Sequence, residues 1–203
     1  MRQFVLYARK AVTSPDFSLD DLPGSGGRMD LVARCVCSAL WISHGLRRDA
    51  CIHIAAYGRP NPPVVISFYG DKLRNVSPDE RNIASWIKIA LASKRKNPGI
   101  AVRRGLSFQK LIEELASSGN FFYILHEDGV PVEDVDLKAD AVFVLGDHLG
   151  IPRKEEKFVE RFPHEKISLG NISYLASQCI TIIHYELDRR SQNSIQMSAD
   201  SSL

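Results

Sequence analysis

The sequence has no long apolar segment, and none of its apolar runs approaches the roughly 18 residues that a membrane span requires. The apolar stretch within residues 1–10 is also too short for the core of a signal peptide, and it predicts a first strand instead. We therefore expect a protein without a membrane anchor that resides in the cytoplasm.

Cysteine is scarce, and its spacing is uninformative. The four cysteines form no CxxC pair, and the six histidines are scattered along the chain. Because zinc sites need closely spaced ligand pairs, the sequence predicts no metal site. Cys35 and Cys51 lie in apolar segments and are predicted to be buried, reduced thiols.

Three signatures of common enzyme classes are missing. The sequence has no GxGxxG before a helix, no Walker lysine and no GxSxG motif. These absences count against a Rossmann dinucleotide site, a P-loop and a serine hydrolase, respectively.

The net formal charge is only +2, but it is distributed unevenly. Residues 71–110 contain ten basic and three acidic side chains, whereas residues 111–203 contain eight basic and sixteen acidic ones. This asymmetry favours a polyanion bound mainly by the first half of the chain. Unrelated solvated faces would give the same counts, so charge does not decide the question.

The composition, 44% hydrophobic and 25% charged, fits one globular domain, which we place at residues 1–190. Strand and helix patterns alternate along it, which predicts an α/β fold with a mostly parallel sheet flanked by helices. Helices are expected from Met29 to His44, after an N-cap at Ser77, and over residues 171–187. Residues 191–203 are polar and serine-rich and are predicted to be a disordered tail.

In parallel α/β sheets, ligands gather beyond the carboxyl ends of the strands. Three loops qualify: the loop that follows residues 123–127, and those within residues 144–150 and 168–174. Gly146 and Gly170 would let backbone groups approach a ligand closely. Both could equally be ordinary loop glycines, with the residue after Gly170 capping the next helix.

Two of these loops carry a family resemblance: residues 143–150 read FVLGDHLG and residues 166–170 read KISLG. Further matches are GRMDLV at residues 27–32 and IHYELDR at residues 183–189. Together they resemble the SPOUT class of S-adenosylmethionine-dependent RNA methyltransferases. Within that class, the archaeal tRNA pseudouridine-54 N1-methyltransferase family is the nearest resemblance, and it covers residues 1–190.

The resemblance implies a SPOUT fold with a C-terminal trefoil knot, and a homodimer that pairs through the final helix. It also implies S-adenosylmethionine bound chiefly by backbone groups of the loops. By position, the cofactor contacts fall at Leu125, Gly146, Leu169, Gly170, Asn171, Ile172, Ser173, Tyr174 and Cys179. The broad apolar face of the final helix agrees with a dimer, but it would equally suit an intramolecular core.

The implied reaction is methyl transfer to N1 of pseudouridine 54 in tRNA. Asp30 is the candidate acceptor for the N1 proton, and Arg28 would bind a phosphate or the base edge. Asp30 could instead be a carboxylate that is merely stabilised by the N-terminus of the helix. RNA is expected on the basic half, at Arg28, Arg74, Arg81, Lys88, Lys94, Arg95, Arg103 and Arg104. The alternatives are a ribosomal RNA pseudouridine as substrate, or a non-catalytic RNA-binding assembly factor.

Overall fold

The fold is given by a computed structural model, which describes the backbone of residues 1–93 and 96–200 and the side chains of these residues up to 192. The strands are β1 (Arg2–Ala8), β2 (Trp41–Ile42), β3 (Gly45–Leu46), β4 (Ala50–Ala56), β5 (Val64–Tyr69), β6 (Ile100–Arg104), β7 (Phe122–Pro131), β8 (Val142–Gly146) and β9 (His164–Ser168). The helices are α1 (Met29–Leu40), α2 (Glu80–Leu91), α3 (Phe108–Ser117), α4 (Arg153–Val159) and α5 (Ala176–Asp200).

Seven strands form one sheet in the order β6-β5-β4-β1-β8-β7-β9. β5 runs antiparallel to both of its neighbours, and the other pairings are parallel. This confirms the predicted α/β fold with a mostly parallel sheet. The six strands that share a direction end at the same side of the sheet, which we call the C-terminal edge.

Helices cover both faces of the sheet, as a buried parallel sheet requires. Side chains of β1 alternate between the two faces. Phe4 and Leu6 pack into a cluster with α1, α2 and α5. Val5 and Tyr7 pack on the other face with apolar residues of α3 and α4. Because β1 is central and almost wholly buried, loops at its end are held on a rigid base.

A buried polar cluster attaches α5 to the start of the chain. The Asp188 carboxylate accepts hydrogen bonds from Arg2 at 2.6 Å and from Arg47 at 2.5 Å. Burial lowers the pKa of His184 to about 4, so its imidazole is neutral. Its Nδ1 accepts from Arg2 at 3.2 Å and its Nε2 donates to the Ala39 carbonyl at 3.0 Å. The start of α5 is thereby positioned against β1 and α1.

Two helix boundaries near the middle of the chain differ from the sequence prediction. α1 ends at Leu40 rather than near His44, because the chain turns there into the β2–β3 hairpin. The cap of α2 is Asp79, whose carboxylate accepts from the Asn82 N–H at 2.7 Å. The predicted cap at Ser77 was therefore wrong, since either residue type can cap a helix and tertiary contacts select between them.

The last helix also differs at both ends. It begins at Ala176 rather than at residue 171, which leaves residues 169–175 as a loop at the C-terminal edge. It continues through Asp200, where the sequence predicted disorder from residue 191; residues 201–203 lie outside the described part. Residues 191–200 contain neither glycine nor proline, and extending an existing helix is far easier than nucleating one.

Cys35 and Cys51 are buried free thiols, which confirms that prediction. Burial raises the pKa of both, that of Cys51 to about 12. Among the described residues, no helix is long and apolar enough to cross a membrane.

Candidate active site

A cavity of about 480 Å³ opens at the C-terminal edge of the sheet, where β7, β8 and β9 end. It is lined by Gly146 and Ser168, the last residues of β8 and β9, and by Leu125, where the regular pairing of β7 with β9 stops. Leu31 from the first turn of α1 and Cys179 from the first turn of α5 complete the wall. The position agrees with the general location of ligand sites in parallel sheets.

The loop after β8 is held in place by Asp147, which is buried. Its carboxylate accepts from the backbone N–H of Arg9 at 2.7 Å and of Leu149 at 2.9 Å. The chain then folds back so closely that a Cβ on Gly146 would lie 2.3 Å from the carbonyl carbon of Gly150. Glycine is therefore required at position 146 by a close approach of two backbone segments.

The loop between β9 and α5 forms the other wall. Gly170 has a φ of +101°, a conformation that side chains disfavour, and its N–H donates to the Ser168 hydroxyl at 3.2 Å. Ser173 donates to the Glu127 carboxylate at 3.2 Å and so connects this loop to the part of β7 where the pairing with β9 shifts register. Two loops and this irregular part of β7 thus surround one cavity.

The structure brings most of the predicted cofactor residues together. The cavity is lined by Leu125, Gly146, Leu169, Gly170, Ile172, Ser173, Tyr174 and Cys179, whereas Asn171 is exposed and is not part of the lining. Lining residues that the sequence did not single out include Leu31, His126, Asp147 and His148. Asp147 and His148 lie in the loop predicted within residues 144–150 and could have been chosen as candidates from it. Leu31 lies outside the predicted loops, so nothing in the sequence favoured choosing it.

Cys179 lines the cavity but is not suited to be a nucleophile. Burial raises the pKa of its thiol, and the sulfur lies 3.8 Å from the Tyr174 carbonyl. Since the thiolate is the reactive form, this side chain acts as part of the cavity wall. Tyr174 itself is 39% exposed, at the mouth of the cavity.

The loop before α1, which contains Gly27, carries Arg28 and leads into Asp30. Gly27 has a φ of +59°, and a Cβ there would lie 1.9 Å from the Lys10 carbonyl oxygen. This contact holds the loop against the segment that leaves β1. Neither Arg28 nor Asp30 is part of the lining, but Leu31, the residue after Asp30, is, and Arg28 lies within electrostatic range of Asp147, another lining residue.

The Asp30 carboxylate is bound by two arginines. Arg28 donates to both of its oxygens at 3.0 Å, and Arg34 donates to Oδ2 at 2.8 Å. Arg34 also donates to Glu80 on α2 at 3.1 Å. Burial alone would raise the pKa of Asp30, but these hydrogen bonds and the Leu31 N–H lower it to about 2. The carboxylate is ionised at neutral pH, and Arg34, which the sequence did not single out, helps to keep it so.

Several of the predicted RNA contacts are occupied within the protein. Arg81 pairs with Asp20, and Lys88 donates to the Phe17 carbonyl at 2.5 Å. Arg103 donates to Glu114 on α3 at 2.5 Å. Arg74 donates to two carbonyls, those of Asp71 and Leu73, and follows β5, at the edge opposite the cavity. Lys94 and Arg95 lie outside the described residues. Arg104 reaches the loop that leaves β1.

No metal-binding group of His, Cys, Asp or Glu occurs in the described part of the chain.

The fold resembles that of a solved protein. The Nep1 protein of Archaeoglobus fulgidus, solved with bound S-adenosylhomocysteine, matches with a TM-score of 0.66. The match covers 93% of this chain and 97% of that one, at 13% sequence identity. At this identity the likeness concerns the fold, and it confirms the predicted SPOUT methyltransferase class.

The sequence comparisons are more specific. The family model described as "Putative SAM-dependent RNA methyltransferase" matches residues 1–192, so the chain belongs to this family. The tRNA (pseudouridine(54)-N(1))-methyltransferase of Methanocaldococcus jannaschii is 46% identical over 202 residues, which cover 94% of this chain and 98% of that protein. The protein of the same name from Methanococcoides burtonii is 43% identical, over 93% of this chain and 96% of its own length. These matches confirm the family resemblance and S-adenosylmethionine as the cofactor.

Proposed function

We propose that this protein transfers a methyl group from S-adenosylmethionine to N1 of pseudouridine 54 in the T-loop of tRNA. The observation that carries the proposal is identity of 43–46% with enzymes of this name over more than nine tenths of the chain. The cavity suits the cofactor, because it lies at the ends of parallel strands and its lining includes Gly146, Gly150 and Gly170, where backbone groups can approach a ligand closely. The ionised Asp30, one residue before the lining residue Leu31, supplies a group suited to the N1–H of the base.

Bound S-adenosylmethionine supplies an electrophilic methyl group, which N1 of the pseudouridine accepts as the N1–H proton is lost. Asp30 accepts a hydrogen bond from that N–H and so orients the nitrogen. With a pKa of about 2, the carboxylate does not retain the proton, which passes to water. Arg28 and Arg34 keep the carboxylate ionised and in place. Leu145 and Ile167 are buried apolar residues of the cavity lining and would contact the cofactor.

The proposal is tested with tritium-labelled S-adenosylmethionine and tRNA transcripts that differ at one base. The expected result is label transfer to a transcript with pseudouridine at position 54 and none to the same transcript with uridine there. A transcript with pseudouridine only at position 55 serves as the matched control. Label on the control or on the uridine transcript would contradict pseudouridine 54 as the target. If no transcript were labelled, the result would favour ribosomal RNA as the substrate, or a non-catalytic RNA-binding assembly factor as the function.

We further propose that two copies associate through the outer side of α5 and the loop before it. Ile180, Ile183 and Leu187 of α5 are buried in the core of this chain and are not available to a partner. Leu175 and Tyr185 remain 58% and 62% exposed, with other apolar side chains of the cavity mouth beside Leu175. Large apolar side chains grouped at a surface are typical of protein interfaces.

The dimer is tested by light scattering of the purified protein. The wild-type chain is expected at twice the chain mass, and a Leu175→Asp, Tyr185→Asp double variant at the chain mass. Ile42→Asp, at a 52% exposed position on the β2–β3 hairpin, is the matched control and should stay dimeric. A monomeric wild-type protein would contradict the proposal.

We also propose that the chain forms a trefoil knot and that the protein resides in the cytoplasm. The sheet order supports the knot, because β8 lies between β1 and β7 while β9 pairs beyond β7. A chain trace in an electron-density map would test it. Methylation of tRNA is consistent with the cytoplasm, and fractionation of cells with an antibody to the protein would test that location.

A further inference from the structure

Basic side chains gather at the half of the C-terminal edge that the cavity does not occupy. Arg9 and Lys10 follow β1, Arg59 follows β4, and Arg104 ends β6. These strands end at the same edge as β8, because all of them run in one direction. We call these four residues the basic edge.

Backbone contacts hold the segments of the basic edge together. The Gly58 N–H donates to the Ala11 carbonyl at 2.8 Å, and the Thr13 N–H donates to the Arg59 carbonyl at 3.0 Å. The Arg104 guanidinium donates to the Thr13 carbonyl at 3.3 Å. The segment that leaves β1 is thus held between the ends of β4 and β6, which keeps the four basic residues at the same edge of the sheet.

The basic edge is continuous with the cavity. Arg9 is the link, since its backbone N–H donates to Asp147 at 2.7 Å and its Nε donates to the Gly150 carbonyl at 3.2 Å. From β8 across β1, β4 and β5 to β6 there are four strand spacings, which amount to about 19 Å. A polyanion lying along this edge would therefore reach the cavity mouth at one end.

The charges of the basic edge are available to a partner. Lys10 and Arg59 are exposed, and neither side chain makes a hydrogen bond or ion pair with any part of the protein that the structure describes. Arg81, Lys88 and Arg103 differ in this respect, because each is used by an internal contact. Lys10 and Arg59 of the basic edge are thus free to contact a phosphate, whereas these three predicted RNA contacts are not.

Carboxylates near the basic edge do little to neutralise it. Asp20 is paired with Arg81, and Asp21 accepts from the N–H groups of Gly24 and Ser25 within its own loop. Asp147 is buried and used by the loop after β8. Of the three exposed acidic residues on the loop that follows Lys10, Asp16 is the one whose carboxylate has no such partner among the described residues.

We infer that the basic edge binds the phosphate backbone of the RNA substrate, beside the base that enters the cavity. The inference rests on the proposed function for the identity of that RNA. Lysine and arginine contacts with phosphates supply most of the sequence-independent affinity for a nucleic acid, and they orient it. The basic edge begins at the cavity and carries cations that form no ion pair with the described residues, so it can supply both this affinity and this orientation. Arg74, at the opposite edge, does not belong to this surface.

The test is equilibrium binding of an unmodified tRNA transcript at several salt concentrations, without any methylation step. A Lys10→Glu, Arg59→Glu double variant is expected to lose affinity by about 100-fold at low salt. The slope of log affinity against log salt should become shallower by about two, one for each lost phosphate contact. Arg9 and Arg104 are left unchanged because both also bind loop carbonyls.

Controls separate this result from misfolding and from a failure of the proposed function. Lys72→Glu, an exposed lysine at the opposite edge, should bind RNA like the wild-type protein. The affinity for S-adenosylmethionine should be unchanged in every variant, and a Lys10→Gln, Arg59→Gln variant should show a smaller loss in the same direction. Wild-type affinity and slope in both double variants would overturn the basic edge. RNA binding that depends on the basic edge without methyl transfer would instead overturn the proposed function alone.

Discussion

A Gly146→Ala substitution is expected to lower the affinity for S-adenosylmethionine by about 100-fold. The added Cβ would lie 2.3 Å from the Gly150 carbonyl carbon and 2.5 Å from the Ile151 nitrogen. Both are backbone atoms, so the whole loop after β8 must move. Overpacking of this kind costs about 1–3 kcal/mol, and here the strain falls on a wall of the cavity. Isothermal titration of the purified variant measures the effect.

Gly45→Ala is the matched control for this experiment. A Cβ at position 45 would have nothing within 4 Å, so cofactor affinity should not change. Thermal unfolding of both variants shows whether the loss at position 146 is confined to the site. An alanine variant that binds the cofactor as tightly as the wild-type protein would mean that the loop after β8 is not part of the cofactor site.

The sequence predicts the sheet because its signal is local. Alternating short apolar runs and amphipathic segments indicated an α/β sheet, and β1, β4 and β8 follow those runs. Short elements were harder. α4 has seven residues, too few to show a helical period, and it was not predicted. The start of α5 at Ala176 was misplaced because Asn171 is a favourable N-cap and apolar residues follow it, although residues 172–175 line a cavity instead.

The candidate site was predictable to the extent that it consists of loop glycines and matched family motifs. Gly146 and Gly170 could be chosen from the sequence, because each stands where a strand ends. Arg34 could not be chosen, since an arginine on a helix is usually solvated. Its role depends on the fold, which places it between Asp30 and Glu80. Of the basic edge, only Arg104 was among the RNA contacts predicted from the sequence, since the four members are far apart in the chain and meet only through strand order.

An Asp30→Asn substitution is expected to reduce turnover by about 100- to 1,000-fold and to leave the affinity for S-adenosylmethionine unchanged. Asparagine keeps the shape but not the charge, so Arg28 and Arg34 lose their counterion and the N1–H loses an ionised acceptor. Losses of this size are typical when one preorganised electrostatic group is removed from an active site. Single-turnover methyl transfer and cofactor titration together measure the two quantities. Asp20→Asn, which changes an exposed carboxylate on the loop before α1, is the control and should stay active.

The pH dependence of the wild-type enzyme separates the two roles open to Asp30. A general base that stores the proton would give a rate that falls below its own pKa near neutrality. The hydrogen bonds from Arg28 and Arg34 lower the pKa of Asp30 to about 2, so its charge is present throughout the range above that value and is lost only as the pH falls toward it. We therefore expect no inflection from this group between about pH 5 and 9, where a carboxylate of such a pKa stays ionised. An inflection in this range that disappears in the Asp30→Asn variant would show that the carboxylate takes up the proton, and full activity of the variant would remove Asp30 from the mechanism.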